Sequence, residues 1–289
     1  MNKASGEPAT PLVSIVVPTY NCGATLEATL HSLAEQSWRD FEVVLSDGAS
    51  SDGTVQTARS MAGSLPACTV LSRPDHGVYD AINLGIAGAR GQWILILGGD
   101  DRLHAGDTLA RVAPMLTTTS ADAIYGDVRV MNPSRMDVPA GGRYAGPMPL
   151  VKLLRTNICQ QAIFYRRSLF DELGGFEVTY KILADWAFNL RVAFRAPMVW
   201  VDQVIADYAG TGLSARCRDE AAERGIPELV RQELLRRAAR RDLWPHHRAL
   251  LRQADALRRR GRWADAARYL ASYATLVFKR VAVLARLRR

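Results

Sequence analysis

The stretch LILGGDDRLH, residues 95–104, carries an apolar run through two glycines into two adjacent carboxylates, Asp100 and Asp101. Side by side the two charges repel, and a divalent cation held by hard carboxylate oxygens converts that repulsion into a binding site. The competing reading is a polar turn, because loops collect Gly and Asp for reasons of backbone geometry alone. Position helps to choose between them. Thr19 and Tyr20 follow SIVVP, Asp47 follows FEVVLS, and Asp75 follows CTVLSRP, so each also closes an apolar run.

The elements that must position these residues alternate along the chain. LVSIVVPTYN (12–21) is β-branched without polar alternation, as expected of a parallel strand covered on both faces, and Pro18 is expected to end it. GATLEATLHSLAEQ spaces Leu26, Leu30 and Leu33 as a helix does. FEVVLSDGASSDGT (41–54) repeats the design, with Asp52 the expected N-cap of the next helix. A third strand (CTVLSRPDHG), a third helix (VYDAINLGIAGAR) and a fourth strand (QWILILGGDD) follow. This alternation predicts an α/β sheet with right-handed crossovers. It also puts Thr19, Tyr20, Asp47, Asp75, Asp100 and Asp101 at the C-terminal strand ends, where open α/β sheets bind ligands.

Beyond Met131, NPSRMDVPAGGRYAGPMP (132–149) predicts a long surface excursion over that edge. LVKLLRTN, a strand-like QQAIFYRR, a helix SLFDELGG stopped by its glycines, a helix in ILADWAFNLRVAFRA and a last strand MVWVDQVIADY come next. From Asp219 the pattern is helical to the end, interrupted around Pro245.

At 289 residues and 48% hydrophobic, the chain can bury one large core with an appendage, or two smaller ones. Cys22, Cys68, Cys159 and Cys217 lie far apart, which suggests neither a zinc site nor a disulfide framework and fits a reducing cytosol. No run approaches the ~18 apolar residues of a membrane span. Residues 1–11 read as a flexible leader, 12–218 as the main domain and 219–289 as a basic helical extension. The extension carries 18 Lys and Arg against 8 Asp and Glu, a surplus of ten in a chain of net charge +8, so the body is slightly acidic.

In their order, SIVVPTYN, VVLSDGASSDGT, RPDHGVYDAINLGI, GQWILILGGDD, ICQQAIFYRRSLFDELGGF and ILADWAFNLR resemble glycosyltransferase family 2, over about residues 12–213. That resemblance implies an inverting enzyme of GT-A fold, a Rossmann-like mixed sheet with helices on both faces, and the subgroup it is similar to acts in bacterial exopolysaccharide, O-antigen and glycolipid assembly. It implies a nucleotide-sugar donor and a divalent metal, Mg2+ or Mn2+, on the diphosphate, with Asp100 and Asp101 as its ligands. Asp100 takes the second acid of the family's DxD motif, and Gly98 stands where the first would be. Asp47 matches the acid that recognises base or ribose, with Ser46 where relatives commonly carry a second Asp. Pro18, Thr19 and Tyr20 resemble the floor under the base, and a half-buried aromatic capping a strand is the other reading of Tyr20. Asp80, Asn83 and Gly99 are carried over as donor contacts, Tyr79 and Asp80 falling where many relatives have Arg-Asn. Asp185 matches the catalytic base that takes the acceptor hydroxyl proton, while a first-turn helix acid is what the residue alone suggests. Gln160 stands at a histidine position and keeps a donor and an acceptor without a titratable proton. Arg166 and Arg167 are candidates for phosphate.

In the extension, Leu270, Tyr273, Ala274, Val277, Phe278, Val281 and Leu284 or Leu287 form an expected apolar stripe flanked by basic residues. The stripe suits an anionic membrane surface, a partner protein, or packing on the catalytic body. Nucleic acid is not expected, for no base-reading module is present. The reading is therefore a metal-dependent glycosyltransferase using a UDP-, GDP- or dTDP-sugar and a glycan or lipid-linked acceptor, cytoplasmic and peripheral on the inner face of the membrane. Its rival is a catalytically silent scaffold of the same fold.

Overall fold

The computed structural model describes residues 10–132, 138–212, 219–237 and 240–286, with backbone only at 241, 242, 245 and 280–286. Most of the expected leader, part of the 132–149 excursion, Cys217 and the side chains of Val281, Leu284 and Leu287 lie outside the described residues. The chain forms two compact units, one of residues up to Pro149 with Asn157–Asp219, the other of Leu150–Thr156 with Glu220–Arg289.

The first unit is built on a sheet of nine strands among the described residues. Strands β1 (Val13–Thr19), β2 (Phe41–Asp47), β3 (Cys68–Ser72) and β4 (Trp93–Ile96) are parallel in the order β3-β2-β1-β4, linked by helices α1 (Leu26–Ala34), α2 (Thr54–Met61) and α3 (Val78–Gly88). Every residue of β1, β2 and β4 is buried, which is why these runs show no polar alternation. Pro18 does not end β1 as expected. The strand continues to Thr19 against Asp47, whereas β4 pairs with it only up to Val16, so the nitrogen of Pro18 faces a side from which the neighbour has already departed. Asp52 is displaced from its expected cap as well. Gly53 precedes α2, and Asp52 accepts bonds from Thr54 N at 3.2 Å and Gly23 N at 2.8 Å.

The other half of the sheet is mixed. Next to β4 comes β8 (Ile163–Arg166), then β6 (Ala123–Val130), β9 (Val199–Tyr208) and β5 (Arg102–Leu103), with β7 (Arg143–Tyr144) beside β6. The pairs β4–β8, β8–β6 and β9–β5 are antiparallel and β6–β9 is parallel. Helices α4 (Thr108–Thr118), α6 (Ser168–Leu173) and α7 (Ala184–Arg195) complete this part. Because Arg166 pairs with Trp93 at the start of β4, it lies at the edge opposite Asp100. Its guanidinium covers the Trp93 ring at 4.5 Å and donates to the carbonyls of Thr119 and Ala121, so it staples the fold and is not placed for phosphate.

In the second unit, α8 (Glu220–Arg236), α9 (Arg248–Arg259) and α10 (Trp263–Arg286) follow the short α5 (Leu150–Leu153). Leu250, Ala254 and Leu257 of α9 are buried, as are Ala266, Tyr269 and Leu276 of α10. The expected stripe is therefore not the packed face of α10. Leu270, Val277 and Phe278 are exposed, the last by 75%, because the inward face falls on the other side of the same helix.

The opposite edge of the sheet is closed by Glu42, buried between β1 and the α3–β4 turn. It accepts Ser14 Oγ at 2.6 Å, Arg90 N at 2.6 Å and the Arg90 guanidinium at 2.8 and 3.0 Å. Burial alone would raise its carboxyl, but the bonds from Ser14 and Arg90 outweigh that and hold it below the ordinary range. Glu42→Ala is expected to lose about 2 kcal/mol in urea unfolding at pH 7, since it leaves the buried Ser14 hydroxyl and the Arg90 N–H without their acceptor, while the exposed Arg90 guanidinium turns to solvent. Because folding lowers the pKa of this carboxyl, its contribution is present above the unfolded value of 4.5, so the gap between variant and wild type should narrow as pH falls below it.

Candidate active site

The C-terminal ends of β2 and β4 deliver three carboxylates, Asp47, Asp100 and Asp101, to one edge, beside Thr19 at the end of β1, and the fold treats each differently. Asp47 is 1% exposed and accepts four bonds, from Thr19 Oγ1 at 3.1 Å, Ser50 N at 2.9 Å, Ser72 Oγ at 2.7 Å and the Ser50 hydroxyl. Burial pushes its carboxyl up, yet these donors, led by the Ser50 hydroxyl, hold it below the usual range. With every lone pair occupied, Asp47 shapes the edge from behind. Thr19 is buried with it. Tyr20, by contrast, is 67% exposed beside them.

The Asp100–Asp101 pair is divided. Asp101 is 1% exposed; its Oδ1 accepts Ala209 N and its Oδ2 accepts Gln161 Nε2, each at 2.8 Å. Burial first, and the neighbouring charge of Asp100 second, push its carboxyl up to about 7. It ties the end of β4 to the segment after β9 and to the 3-10 turn Gln160–Ala162, so of the two expected metal-binding acids Asp101 is the one bonded on both oxygens by the protein itself. Asp100 stays partly exposed and, among the described residues, is bonded by the Thr211 hydroxyl at 3.5 Å. Gly98 has a steric reason: a Cβ there would lie 2.7 Å from Asp101 Oδ2 and 3.0 Å from Asp100 Oδ1. Gly99 is likewise confined, its Cβ position meeting Cys22 Sγ at 3.1 Å and Thr19 Cγ2 at 3.2 Å, so the backbone itself forms the surface there.

Among the described residues no cluster of three or more acidic, His or Cys side chains is arranged to hold a metal. One accessible carboxylate, Asp100, still fits a Mg2+ or Mn2+ ion of the kind that takes one or two protein carboxylates and completes its shell with water and substrate phosphate.

Two further sequence-derived contacts are committed elsewhere. Asn83 on α3 uses both ends of its amide on the backbone of Phe176, Nδ2 to the carbonyl and Oδ1 from the N–H, each at 2.8 Å. Asp80 in the first turn of α3 accepts His76 N, just before the helix, at 3.1 Å. Both residues therefore hold the surroundings of α3 through the backbone.

Asp185 lies in the first turn of α7, closely surrounded by protein yet still reached by solvent. Tyr79 Oη donates to its Oδ1 at 3.0 Å and Asn157 Nδ2 to its Oδ2 at 2.7 Å. Burial pushes the carboxyl up to about 6 despite these donors. Asn157 and Gln161 were not singled out in sequence, and Tyr79 was placed only beside Asp80, at the Arg-Asn position of relatives, with no bond to Asp185 foreseen. Asn157 and Gln161 bracket Ile158-Cys159 in TNICQQ, a pair of polar residues around a buried apolar step, which is the only local signal they give. That one segment bonds Asp185 at its start and Asp101 at its end. The loop before it is pinned from the other side, Arg143 and Gly146 N bonding Asp127, Met148 N bonding Tyr125 Oη, and Tyr144 Oη bonding the Asn157 carbonyl at 2.6 Å.

A half-parallel, half-mixed sheet with its carboxylates gathered on one edge is the GT-A architecture, and solved structures share it. The chain superposes on TarS from S. aureus, residues 1–349 with UDP-GlcNAc, with a TM-score of 0.61 at 20% identity, covering 77% of this chain and 65% of that one, just under two-thirds of its length. It superposes on the Pyrobaculum calidifontis mannosyltransferase PcManGT, in complex with GDP-Man and Mn2+, with a TM-score of 0.56 at 21% identity, covering 95% and 81%. Residues 14–174 match the model of glycosyl transferase family 2. A PGL/p-HBAD biosynthesis glycosyltransferase of Mycobacterium bovis BCG is 43% identical over 205 residues, 69% of this chain and 77% of that protein, and one from Mycobacterium tuberculosis matches equally. The chain belongs to glycosyl transferase family 2 and is a glycosyltransferase.

The raised pKa of Asp185 gives a stability prediction. Between its ordinary 3.8 and about 6 the folded state holds a proton that the unfolded state has released, so this group lowers stability as pH rises through that window. Asp185→Asn, whose amide can still pair with Tyr79 and Asn157, is therefore expected to be up to about 3 kcal/mol more stable than wild type at pH 8. Urea unfolding should show that advantage shrinking as pH falls from 6 towards 4.

Proposed function

We propose that the chain moves one sugar from a UDP-, GDP- or dTDP-sugar to a hydroxyl of a glycan or lipid-linked acceptor, with inversion, in cell-surface glycolipid or polysaccharide synthesis. The observation that carries this reading is the segment 157–161, which fastens the half-accessible carboxylate Asp185 and the Asp100–Asp101 turn to one edge. Asp185 accepts the proton of the acceptor hydroxyl. The hydroxyl oxygen bonds C1 of the sugar from the face opposite the diphosphate, and the C1–O bond breaks with its electrons leaving on the nucleotide. A divalent metal on Asp100, when bound, neutralises the charge that gathers on the diphosphate. Tyr20 offers an exposed ring to the base, and the bare backbone at Gly99 allows phosphate to approach. The donors seen with TarS and PcManGT and the glycolipid role named for the mycobacterial relatives support donor and acceptor class.

No helix among the described residues is long and apolar enough to cross a membrane. A lipid-linked acceptor would be met at the inner face of the cytoplasmic membrane, and Leu270, Val277 and Phe278, exposed on a basic helical unit, are the surface for it.

Thermal-shift screening with UDP, GDP and dTDP sugars, with and without Mn2+, should reveal a donor that raises the melting point more when metal is present. Asp100→Asn should abolish the metal-dependent part while leaving the unliganded melting point within about 1 °C, as expected of a surface substitution. Asp185→Asn should retain donor binding and lose transfer by about 100-fold or more. A protein that binds donor and never transfers would be the silent scaffold instead.

Flotation with vesicles of anionic phospholipid gives a separate check. Leu270→Glu combined with Phe278→Glu should weaken binding about tenfold without unfolding α10, whose packed face is Ala266, Tyr269 and Leu276.

A further inference from the structure

Asp185 ends a chain of hydrogen bonds in which every link donates in one direction. Tyr165 Oη donates to Asn189 Oδ1 at 2.7 Å, Asn189 Nδ2 to Asn157 Oδ1 at 2.9 Å, and Asn157 Nδ2 to Asp185 Oδ2 at 2.7 Å. Asn189 stands one turn after Asp185 on α7, fully buried, and Tyr165 on β8 is fully buried behind it. The direction follows from proton inventory. A phenol has one proton, and Tyr165 gives it to the Asn189 carbonyl, so the other end of Asn189 must be a donor. Asn157 then meets that donor with its carbonyl and has only its NH2 left for Asp185. Reversing the chain would point a carbonyl at a carboxylate and take from the Tyr165 hydroxyl the acceptor it now has.

We infer that Asn157, oriented by Asn189 and Tyr165, is a positioning residue that keeps the base Asp185 ionised and its free lone pairs aimed at the acceptor hydroxyl. This rests on the reading of Asp185 as the base. The titratable groups facing Asp185 are Tyr79 from α3, Cys159 before the 3-10 turn, and Tyr165 from β8; Asp101 acts on Cys159 from its far side. Tyr79 holds the other carboxylate oxygen and stands outside the chain, so the two supports can be removed separately. Burial raises the Asp185 carboxyl to about 6, and the bond from Asn157 is one of those that restrain the rise.

The test is a carbon-13 carboxyl titration of the full-length protein labelled at aspartate, with the Asp185 resonance identified by its loss in Asp185→Asn. Asn157→Ala is expected to move the midpoint upward by about 0.5 or more on the pH scale, as loss of one donor to a carboxylate does. Tyr165→Phe removes a single oxygen that never touches Asp185, and should move it in the same direction by less. The acid limb of the transfer rate should follow both shifts. A purely structural role would lower the melting point and leave the midpoint where it is, so an unmoved midpoint in folded Tyr165→Phe and Asn157→Ala, with Asp185→Asn inactive, overturns this inference alone. Transfer retained by Asp185→Asn overturns the base assignment and this inference with it.

Discussion

A carboxylate taken out of water must be given donors, a cation or a proton, and the edge of this sheet imposes that choice at Asp47, Asp101 and Asp185 without supplying an ion-pair partner to any of them among the described residues. Asp47 receives four donors and settles below the ordinary carboxylate range. Asp101 receives an amide and a backbone N–H but has Asp100 beside it, and its acidity weakens. Asp185 receives a phenol and an amide in a recess that solvent still reaches, and its acidity weakens as well. Donor number sets Asp47 apart from the other two, and solvent access separates Asp185 from the buried Asp101. A saturated carboxylate is a strut, whereas an undersupplied one that stays accessible is a proton acceptor poised near neutral pH.

The division of the acidic pair follows from the same rule. Only one of two adjacent carboxylates can turn inward to bind β9 and the 3-10 turn, and Asp101 does so, which leaves Asp100 as the one facing outward. The absence of a side chain at residue 98 then ceases to look like a lost metal ligand. The space an acid would fill is taken by Asp101 Oδ2, so the glycine and the inward acid belong to one arrangement.

How far this could be read from sequence depended on whether a residue's partner lies nearby in the chain. The strands β1, β2 and β4 are uniformly apolar because both faces are covered, and such runs announce themselves. β6 does not: AIYGDVRV holds a buried Asp127 whose charge is met by Arg143 and whose other oxygen takes Trp200 Nε1, partners that no local pattern reveals. The same limit explains Asn83. Its type suits a polar ligand, yet its partner is the Phe176 backbone, 93 positions away. On α10 the pattern was ambiguous for a different reason: the helix is apolar on two faces, and only packing against α9 decides which is inside.

The polar chain behind Asp185 can be dry only because aromatic rings wall it in. Phe188 lies between Asp185 and Asn189 on α7, stacks on Phe170 at 4.7 Å, meets Phe176 at 4.9 Å and packs edge-to-face with Tyr165 at 5.4 Å. Phe176 in turn stacks on Tyr79 at 5.7 Å, and it is this same Phe176 whose backbone Asn83 grips with both ends of its amide. The two hydroxyls that serve the base and its amide relay, those of Tyr79 and Tyr165, are therefore held by their rings within one cluster, and excluding water from it strengthens each hydrogen bond while making any unpaired group costly. A residue that looks like a donor contact in sequence, Asn83, thus bears on the chemistry from a distance. It fixes Phe176, Phe176 fixes the ring of Tyr79, and Tyr79 fixes one oxygen of Asp185.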